Sequence, residues 1–556
     1  MNSLFIIGGA LILFWLGYQF YSRAFSRMWD IDPKRQTPAL THYDGVDYVP
    51  AKHWTVLFGH HFASISGAAP IIGPILALSI WGWMPALIWI ILGVIFFGGI
   101  HDFSALMVSL RSEGNSIADV AKTTISKRAK IVFSIFIWFT LILVIAVFVH
   151  FCAQTFVVEK RIVVPTFGLI PIAMLIGFML YDLKFNPIST TVLGLALLGG
   201  FIILGNFLTF EIVKLTFRIS GFTLEIGPLQ IWGIILLIYA FFASITPVQI
   251  LLQPRDYLCS FLLLGGVVLG VAGLAVSRPV MQLPAFVGWQ ANGIYLWPML
   301  FVTVACGAIS GFHSLIASGT SSKQLGNEKD ARKIGYGAMV MEGIVALLAL
   351  LIVGGSISKM STLNQIMKDG GGPVGAFGHG FAEVTKPFLG KYGGLVAITV
   401  LNAFILTTLD TATRIGRYLT QELIGIKNRY ISTIIVVVAG GALALSGKWS
   451  AIWPMFGSAN QLVAALSLIV VTAWFLIHGK SVKFTLVPAL FMLITTIGAL
   501  VYQLIKFFKS GDWFLVSITI ILLGLAFYML LEIDLILFRA IKHRKEQRMR
   551  QGYVKI

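Results

Sequence analysis

Apolar runs of helix length follow one another along the chain with only short polar interruptions. A hydrocarbon core about 30 Å thick is crossed by about 20 apolar residues in a helix. On that spacing the chain has spans near 4–22, 54–79, 82–110, 129–154, 163–181, 187–208, 228–252, 256–277, 295–318, 331–357, 391–423, 430–446, 449–478, 485–507 and 512–539. The pattern predicts an all-α polytopic membrane protein with about 15 transmembrane helices. The odd number places the termini on opposite sides of the membrane.

One span is a poor helix. Residues 59–74 read GHHFASISGAAPIIGP. Pro70 and Pro74 lack a backbone donor, and Gly59, Gly67 and Gly73 loosen the chain around them. Irregular backbone at membrane depth survives only where protein buries it or where it lines a wet cavity. Broken helices of this kind build the midplane sites of secondary transporters. If the segment stays helical, His60, Ser64 and Gly67 share a face. A kinked packing helix remains the plain alternative, since small residues also let helices approach closely.

Composition agrees with the pattern. Of 556 residues 57% are hydrophobic and 12% charged, with a mean hydropathy of +0.89. The net charge of +18 comes from 41 Lys and Arg against 23 Asp and Glu. Nothing resembles a basic surface domain, so nucleic acid is excluded as a partner, and the positive-inside rule accounts for the excess. With the N-terminus outside, roughly 29 of the 41 cations fall on the cytoplasmic side. The first segment has no basic residues before it, and Arg23 and Arg27 follow it, so it reads as a retained anchor rather than a signal peptide. Cys152, Cys259 and Cys306 sit in apolar runs with no paired spacing and imply neither disulfides nor zinc. The chain divides into an anchor helix and cytoplasmic loop (1–53), a transporter core (54–480), and peripheral C-terminal helices with a basic tail (481–556). Gly370 to Pro373 ends any helix there, and 377–388 reads as a surface loop or a re-entrant piece.

Ionisable and hydroxyl residues inside apolar spans are the candidate chemistry, because charge at membrane depth is costly. His60 and His61 lie in the broken segment, with Ser64, Ser66 and Gly67 beside them. His101 and Asp102 are adjacent in the third span, where a carboxylate next to a histidine can relay a proton. His150 and His313 read as packing residues. Thr246 and Gln249 flank Pro247, which bares carbonyls at the end of the seventh span. Arg255 and Asp256 read as the cytoplasmic rim. Ser318, Thr320, Ser321 and Lys323 form a polar cluster that suits a carboxylate, with Lys323 as a point charge; a capped helix end fits the same residues. Asp410 and Arg414 are spaced i, i+4 and can pair, as a gate or as an anchor. Ser458 and Asn460 follow Gly457 in a second broken start. His60, His61, His101 and Asp102 are of types that bind zinc or iron, but their spacing matches no ligand motif, so no metal or other cofactor is assigned.

The stretches 59–74, GGIHDFSALMVSLRSEGNSI (98–117), ITPVQILLQPRDYL (245–258), SGTSSKQL (318–325) and FGSANQL (456–462) together resemble the carbon starvation protein A family of bacterial inner-membrane transporters. The resemblance runs through most of the chain. It implies uptake of small carbon sources, peptides in some members and pyruvate with proton coupling in others. It also implies a core of two inverted five-helix repeats, with 59–74 as the first broken helix. The residue pairs Ser64-Ile65-Ser66-Gly67 and Ala308-Ile309-Ser310-Gly311 hint at such a duplication. The expectation is a bacterial plasma-membrane symporter, with the N-terminus outside and the C-terminus cytoplasmic. Its partners are a carboxylate or short peptide, a coupling proton and the bilayer. The carboxylate would rest on amides of residues 66–69 with Lys323 or Arg414 nearby, in a hydrated hollow shared with the Ser/Thr/Lys patch. Alternatives are sodium coupling, a passive channel and an intramembrane metal-dependent enzyme.

Overall fold

The computed structural model describes residues 2–45, 47–51, 53–219, 222–247 and 250–531. A first span, Ser3–Trp29, begins with α1 (Ser3–Leu16). Helices α2 (Trp54–Ile65) and α3 (Ala69–Trp81) are bent by 43° at residues 66–68. Helices α4 (Trp83–Gly93) and α5 (Gly99–Arg111) form one span through a π-helical turn, Val94–Gly98. The short α6 (Ile117–Thr124), capped by Ser116, leads into α7 (Lys127–Val158). A peripheral pair, α8 (Val163–Tyr181) and α9 (Pro187–Gly205), precedes the hairpin β1 (Leu215–Ile219) and β2 (Phe222–Ile226). Then come α10 (Pro228–Ile245) and α11 (Leu252–Ser277).

A two-residue pairing, β3 (Gln290–Ala291) with β4 (Ile294–Tyr295), leads to α12 (Leu296–Thr303) and α13 (Gly311–Gly319). The remaining helices are α14 (Ala331–Ser356), α15 (Met360–Asp369), α16 (Gly372–Leu389), α17 (Gly393–Ile424), α18 (Arg429–Ala444), α19 (Trp449–Ile477) and α20 (Lys483–Ser510). A last span covers Trp513–Leu531.

Among the described residues 12 helices are long and apolar enough to cross a membrane, or 13 with the bent pair α2–α3 as one span. The sequence pattern gave about fifteen. The difference lies in two places. Residues 295–318 are two helices of 8 and 9 residues, and 430–446 is a helix of 16. The segment 377–388 is no surface loop. It lies in α16, which is seated against α11, α14 and α17. The glycine run before it does end a helix: Gly371 and Gly372 take φ of +87° and +63° between α15 and α16, where a side chain would be strained. The basic tail 541–556 lies outside the described residues, as does the end of the predicted last span.

Burial explains the layering. The most apolar window of the α19 span is 89% buried and that of α9 only 28%, so α19 is a central helix and α9 faces lipid. In the middle, α5 and α14 come unusually close. A Cβ at Gly99 would stand 2.5 Å from the Tyr336 ring, and one at Gly335 would stand 2.7 Å from the Phe103 Cα. Small residues at such crossings bring side chains further along the same helices into contact. Here those side chains are Asp102 and Glu342, which meet through His313 between them.

Gly335→Val is therefore expected to destabilise the fold by about 1–3 kcal/mol through overpacking. Gly200→Val, at a site with open space around it, is expected to be neutral. Thermal unfolding of the two purified variants in detergent checks this; equal melting temperatures would contradict the close α5–α14 crossing.

Candidate functional site

The helical ladder opens where the prolines and glycines place it. The Ser66 N–H donates to Phe62 O at 3.0 Å, and the Gly67 N–H to Ile65 O at 3.0 Å. The ladder resumes only with Ile71 N–H to Ala68 O at 3.0 Å. Pro70 stands in the first turn of α3, where its missing donor costs nothing. All residues from 61 to 75 are buried. The Ser66 Oγ and the Thr408 Oγ1 of α17 are buried with no hydrogen-bond partner. A Cβ at Gly67 would stand 2.6 Å from the Phe148 ring and 2.9 Å from Thr408 Oγ1. The break is thus a closed polar spot capped by Phe148, not the open hollow expected from sequence. The Ser64 hydroxyl donates back to His60 O at 2.7 Å within its own helix.

A second break, residues 304–310, separates α12 from α13 and lies against the first. A Cβ at Gly73 would stand 2.6 Å from Thr303 O, and one at Gly307 would stand 3.5 Å from Pro70 Cα. Asn460 of α19 holds the start of α13: its Oδ1 accepts the Phe312 N–H at 2.9 Å, and its Nδ2 donates to Ser310 Oγ at 3.0 Å. Asn460 therefore supports the break. Ser458, expected beside it in the site, instead bonds Pro454 O at 2.9 Å and accepts from Gln503 at 2.7 Å, joining α19 to α20.

Behind the breaks runs a line of buried ionisable groups. His101 Nδ1 is 2.7 Å from Asp102 Oδ1, and Asp102 Oδ2 is 2.8 Å from His313 Nδ1. His313 Nε2 is 3.1 Å from Glu342 Oε2. None of the four is more than 1% exposed. The last approach is close but poorly aligned, so both Glu342 oxygens lack a donor. Both ring nitrogens of His313 face carboxylates, so this ring can take a proton on one side and release it on the other. Groups this near one another titrate as a unit. His61 of α2 stands near Asp102 and His313, with Nδ1 2.7 Å from Ser321 Oγ. The π-helical turn immediately before α5 sets the facing of His101 and Asp102; such turns recur at functional sites.

A second buried group joins α10, α11 and α17. Asp410 Oδ2 accepts from the Tyr239 hydroxyl at 2.7 Å and from the Arg255 guanidinium. Asp256 Oδ2 lies 3.9 Å from His60 Nδ1. The predicted Asp410–Arg414 pair does not form. Arg255 is fully buried and pairs with Asp410 and, at 3.3 Å, with Asp256, as a buried guanidinium requires. Arg414 instead donates to the carbonyls of Ala243 and Thr246, and Arg417 to that of Ser244 at 2.6 Å. These two arginines satisfy the carbonyls that end α10. Arg255 and Asp256 are thus buried within the protein at the start of their span. The Thr246 hydroxyl donates to Phe242 O at 2.8 Å and is taken up by its own helix. Gln249 lies outside the described residues.

The polar cluster after α13 divides. Ser321 meets His61. Ser318 accepts the Ile117 N–H at 3.0 Å, and Thr320 donates to Ile316 O at 3.1 Å, so both serve the chain turn. Lys323 is half-buried with its Nζ 5.2 Å from the Tyr48 ring, at the loop end rather than at the break. The chain leaves the helical path after Thr320, and this carries Lys323 to that loop. Sequence reasoning missed His313, Glu342, Tyr239 and Phe148 as site residues. Glu342 had a signal: it is a lone carboxylate in an apolar span, and the cost of membrane charge applies to it as to Asp102.

Comparisons with known proteins agree with this architecture. The sequence profile of the family described as carbon starvation protein CstA matches residues 2–368 and 355–499. The chain is 31% identical over 577 residues to the peptide transporter CstA of Campylobacter jejuni subsp. jejuni, covering 89% of this chain and 80% of that one. It is 30% identical over 603 residues to the pyruvate/proton symporter BtsT of Escherichia coli, covering 90% and 81%. Among solved structures, the manganese transporter of Eremococcus coleocola superposes with a TM-score of 0.54 at 11% identity, covering 89% of this chain and 99% of that one. That likeness is one of fold alone. Matched along nearly its whole length, this membrane-spanning chain belongs to the carbon starvation protein CstA family and is a secondary transporter.

Proposed function

We propose that this chain is a proton-coupled symporter of the bacterial inner membrane for pyruvate or short peptides. The observation that carries the reading is the fully buried line His101–Asp102–His313–Glu342, whose His313 stands in the first turn of α13, directly after the second of two adjoining helix breaks. The line gives a proton a place to reside in the membrane interior. The breaks place the starts of α3 and α13 together, where the helix dipole favours an anionic group although Asn460 takes the Phe312 amide and Pro70 has none to give. The hydroxyls of Ser66 and Thr408, both without partners, supply further polar contacts. Pyruvate and peptides share a carboxylate, which this arrangement suits, and the two relatives named above carry those substrates in their names. Their designation as transporters likewise favours transport over the metal-enzyme alternative. The ionisable groups stand in a line, and among the described residues no three His, Cys, Asp or Glu side chains form a ligating group.

In this reading the core is an inverted repeat and the crossings number about fifteen. Support comes from the two breaks. The similar tetrapeptides at 64–67 and 308–311 both fall at a helix interruption. Counting residues 296–319 and 429–444 as crossings makes the two broken helices antiparallel and leaves the N-terminus outside and the C-terminus cytoplasmic. The transporter core then spans 54–480, with the first helix and the C-terminal helices peripheral to it. The structure is closed at the break, and Phe148 must move for substrate to enter. The Arg255–Asp410–Tyr239 group, tied towards α2 through Asp256 and His60, is the natural lock on one side of the site.

Two outcomes follow. Proteoliposomes containing the protein are expected to accumulate labelled pyruvate or dialanine when the pH gradient is directed inwards. Accumulation that needs sodium and ignores collapse of the proton gradient would reject the proton reading. Gly67→Val is expected to abolish uptake while the protein still elutes as a folded species, because its side chain fills the space between Phe148 and Thr408. Adding Phe148→Ala is expected to restore part of the uptake; full activity in the single variant would remove the break from the substrate path.

A further inference from the structure

One roomy recess of the described structure lies away from the breaks. A cavity of about 700 Å³ lies between the beginnings of α2, α11 and α14, closed on one side by Tyr18 of the first span. Trp54, Phe58, Tyr257, Phe261 and Val340 make its wall. It is open sideways: Val56, Phe261 and Leu264 are 43%, 38% and 37% exposed on helices that cross the membrane. From Lys333 to Met341 the lining follows α14 for about 12 Å into the span.

Its mouth and its depth differ chemically. At the mouth Lys333 Nζ lies 4.5 Å from the Trp54 ring, and the Arg332 guanidinium lies 4.5 Å from the Tyr18 ring. Glu328 is engaged by Arg35 and Arg111, and Asp330 by Lys333 at 2.7 Å. Among the described residues, Lys329 and Arg332 have no carboxylate within ion-pair distance. The Arg332 guanidinium donates to Tyr18 O at 3.0 Å and Ser22 Oγ at 3.1 Å, both neutral, so its charge is unmatched, while Asp330 offsets that of Lys333. This end carries net positive charge beside aromatic rings, the composition of a membrane interface. Further in, the Ser260 hydroxyl is spent on Tyr257 O at 2.7 Å. Water needs two or more polar partners to occupy a cavity, and the depth of this one is apolar.

We propose that this groove binds one acyl chain of an anionic phospholipid, with the lipid phosphate at Arg332 and Lys333. Charge at the mouth, apolar length within and lateral opening match such a lipid in that order. Basic recesses between membrane helices bind acidic head groups in this way. The site is separate from the proposed transport path and does not depend on it. Because Gly59 of the α2 half that precedes the break lines the groove, an occupied groove braces that half.

Native mass spectrometry of the delipidated protein tests the proposal, with dioleoyl phosphatidylglycerol and dioleoyl phosphatidylcholine added in turn. One retained phosphatidylglycerol is expected, favoured about fivefold over phosphatidylcholine for each cation that contributes. Arg332→Gln and Lys333→Gln are expected to erase that preference while leaving a chain bound. Gly337→Leu fills the groove, since a Cβ there would stand 3.6 Å from Phe58, and is expected to abolish retention of both lipids. Equal retention of the two lipids by the wild type overturns the head-group assignment. Unchanged retention in Gly337→Leu overturns the site. Displacement of the lipid by pyruvate or dialanine would assign the groove to substrate instead and equally overturn the proposal.

Discussion

Asp102 is sealed from bulk solvent by the surrounding helices. A charged side chain at the centre of a membrane helix costs about 3 kcal/mol on insertion scales. Asp102, Arg255, Asp256, Glu342 and Asp410 are all buried in spans, and left alone they would cost on the order of 15 kcal/mol. That is as large as the whole net stability of a typical domain. The fold meets this constraint by bringing helices distant in sequence together around each carboxylate. Asp102 receives two histidines, and Asp410 receives a tyrosine and an arginine. Gly99 and Gly335 are where they are because α5 and α14 must approach closely for Glu342 to reach His313. Groups so expensive to bury, and one of them still lacking aligned partners, are better explained by proton handling than by stability.

The adjacent histidines of α2 connect the two buried groups. His61 turns towards Ser321 and the Asp102 line, while His60 turns towards Asp256 and the Arg255–Asp410 pair. Neighbouring residues on a helix point about 100° apart, and here that angle is used to touch both groups from one short helix. The break at residues 66–68 lies immediately beyond them. A shift of α2 would therefore alter the substrate spot, the proton line and the arginine lock together. Coupling of this kind needs only one element with two positions that both sites bias.

Much of the fold was legible because span length and turn chemistry are local. Among the described residues each predicted span holds helix, whole or interrupted, and the break fell where Gly67 and Pro70 indicated. The predicted count and the 12 or 13 long helices part at 295–318, a pair of short helices, and at 430–446, one helix of 16 residues, since hydropathy does not distinguish a crossing from two half-crossings. The candidate site was legible in part. His61, His101, Asp102, Ser66 and Gly67 stand at the breaks or on the line behind them. Lys323 and Ser458 do not, and Arg414 serves helix carbonyls instead of Asp410. Those errors share a cause: i, i+4 spacing and polar density describe one helix, whereas pairing in a dry interior is settled between helices. Glu342 and His313 were overlooked for the same reason, each being isolated in its own segment.

The central claim is that the Asp102–His313–Glu342 line carries the coupling proton. Comparing uphill accumulation with counterflow in proteoliposomes of Asp102→Asn and Glu342→Gln tests it most directly. Both variants should still exchange labelled for unlabelled substrate at equal pH, yet fail to concentrate it under an inward proton gradient. Uphill accumulation at the wild-type level in both variants would contradict the account.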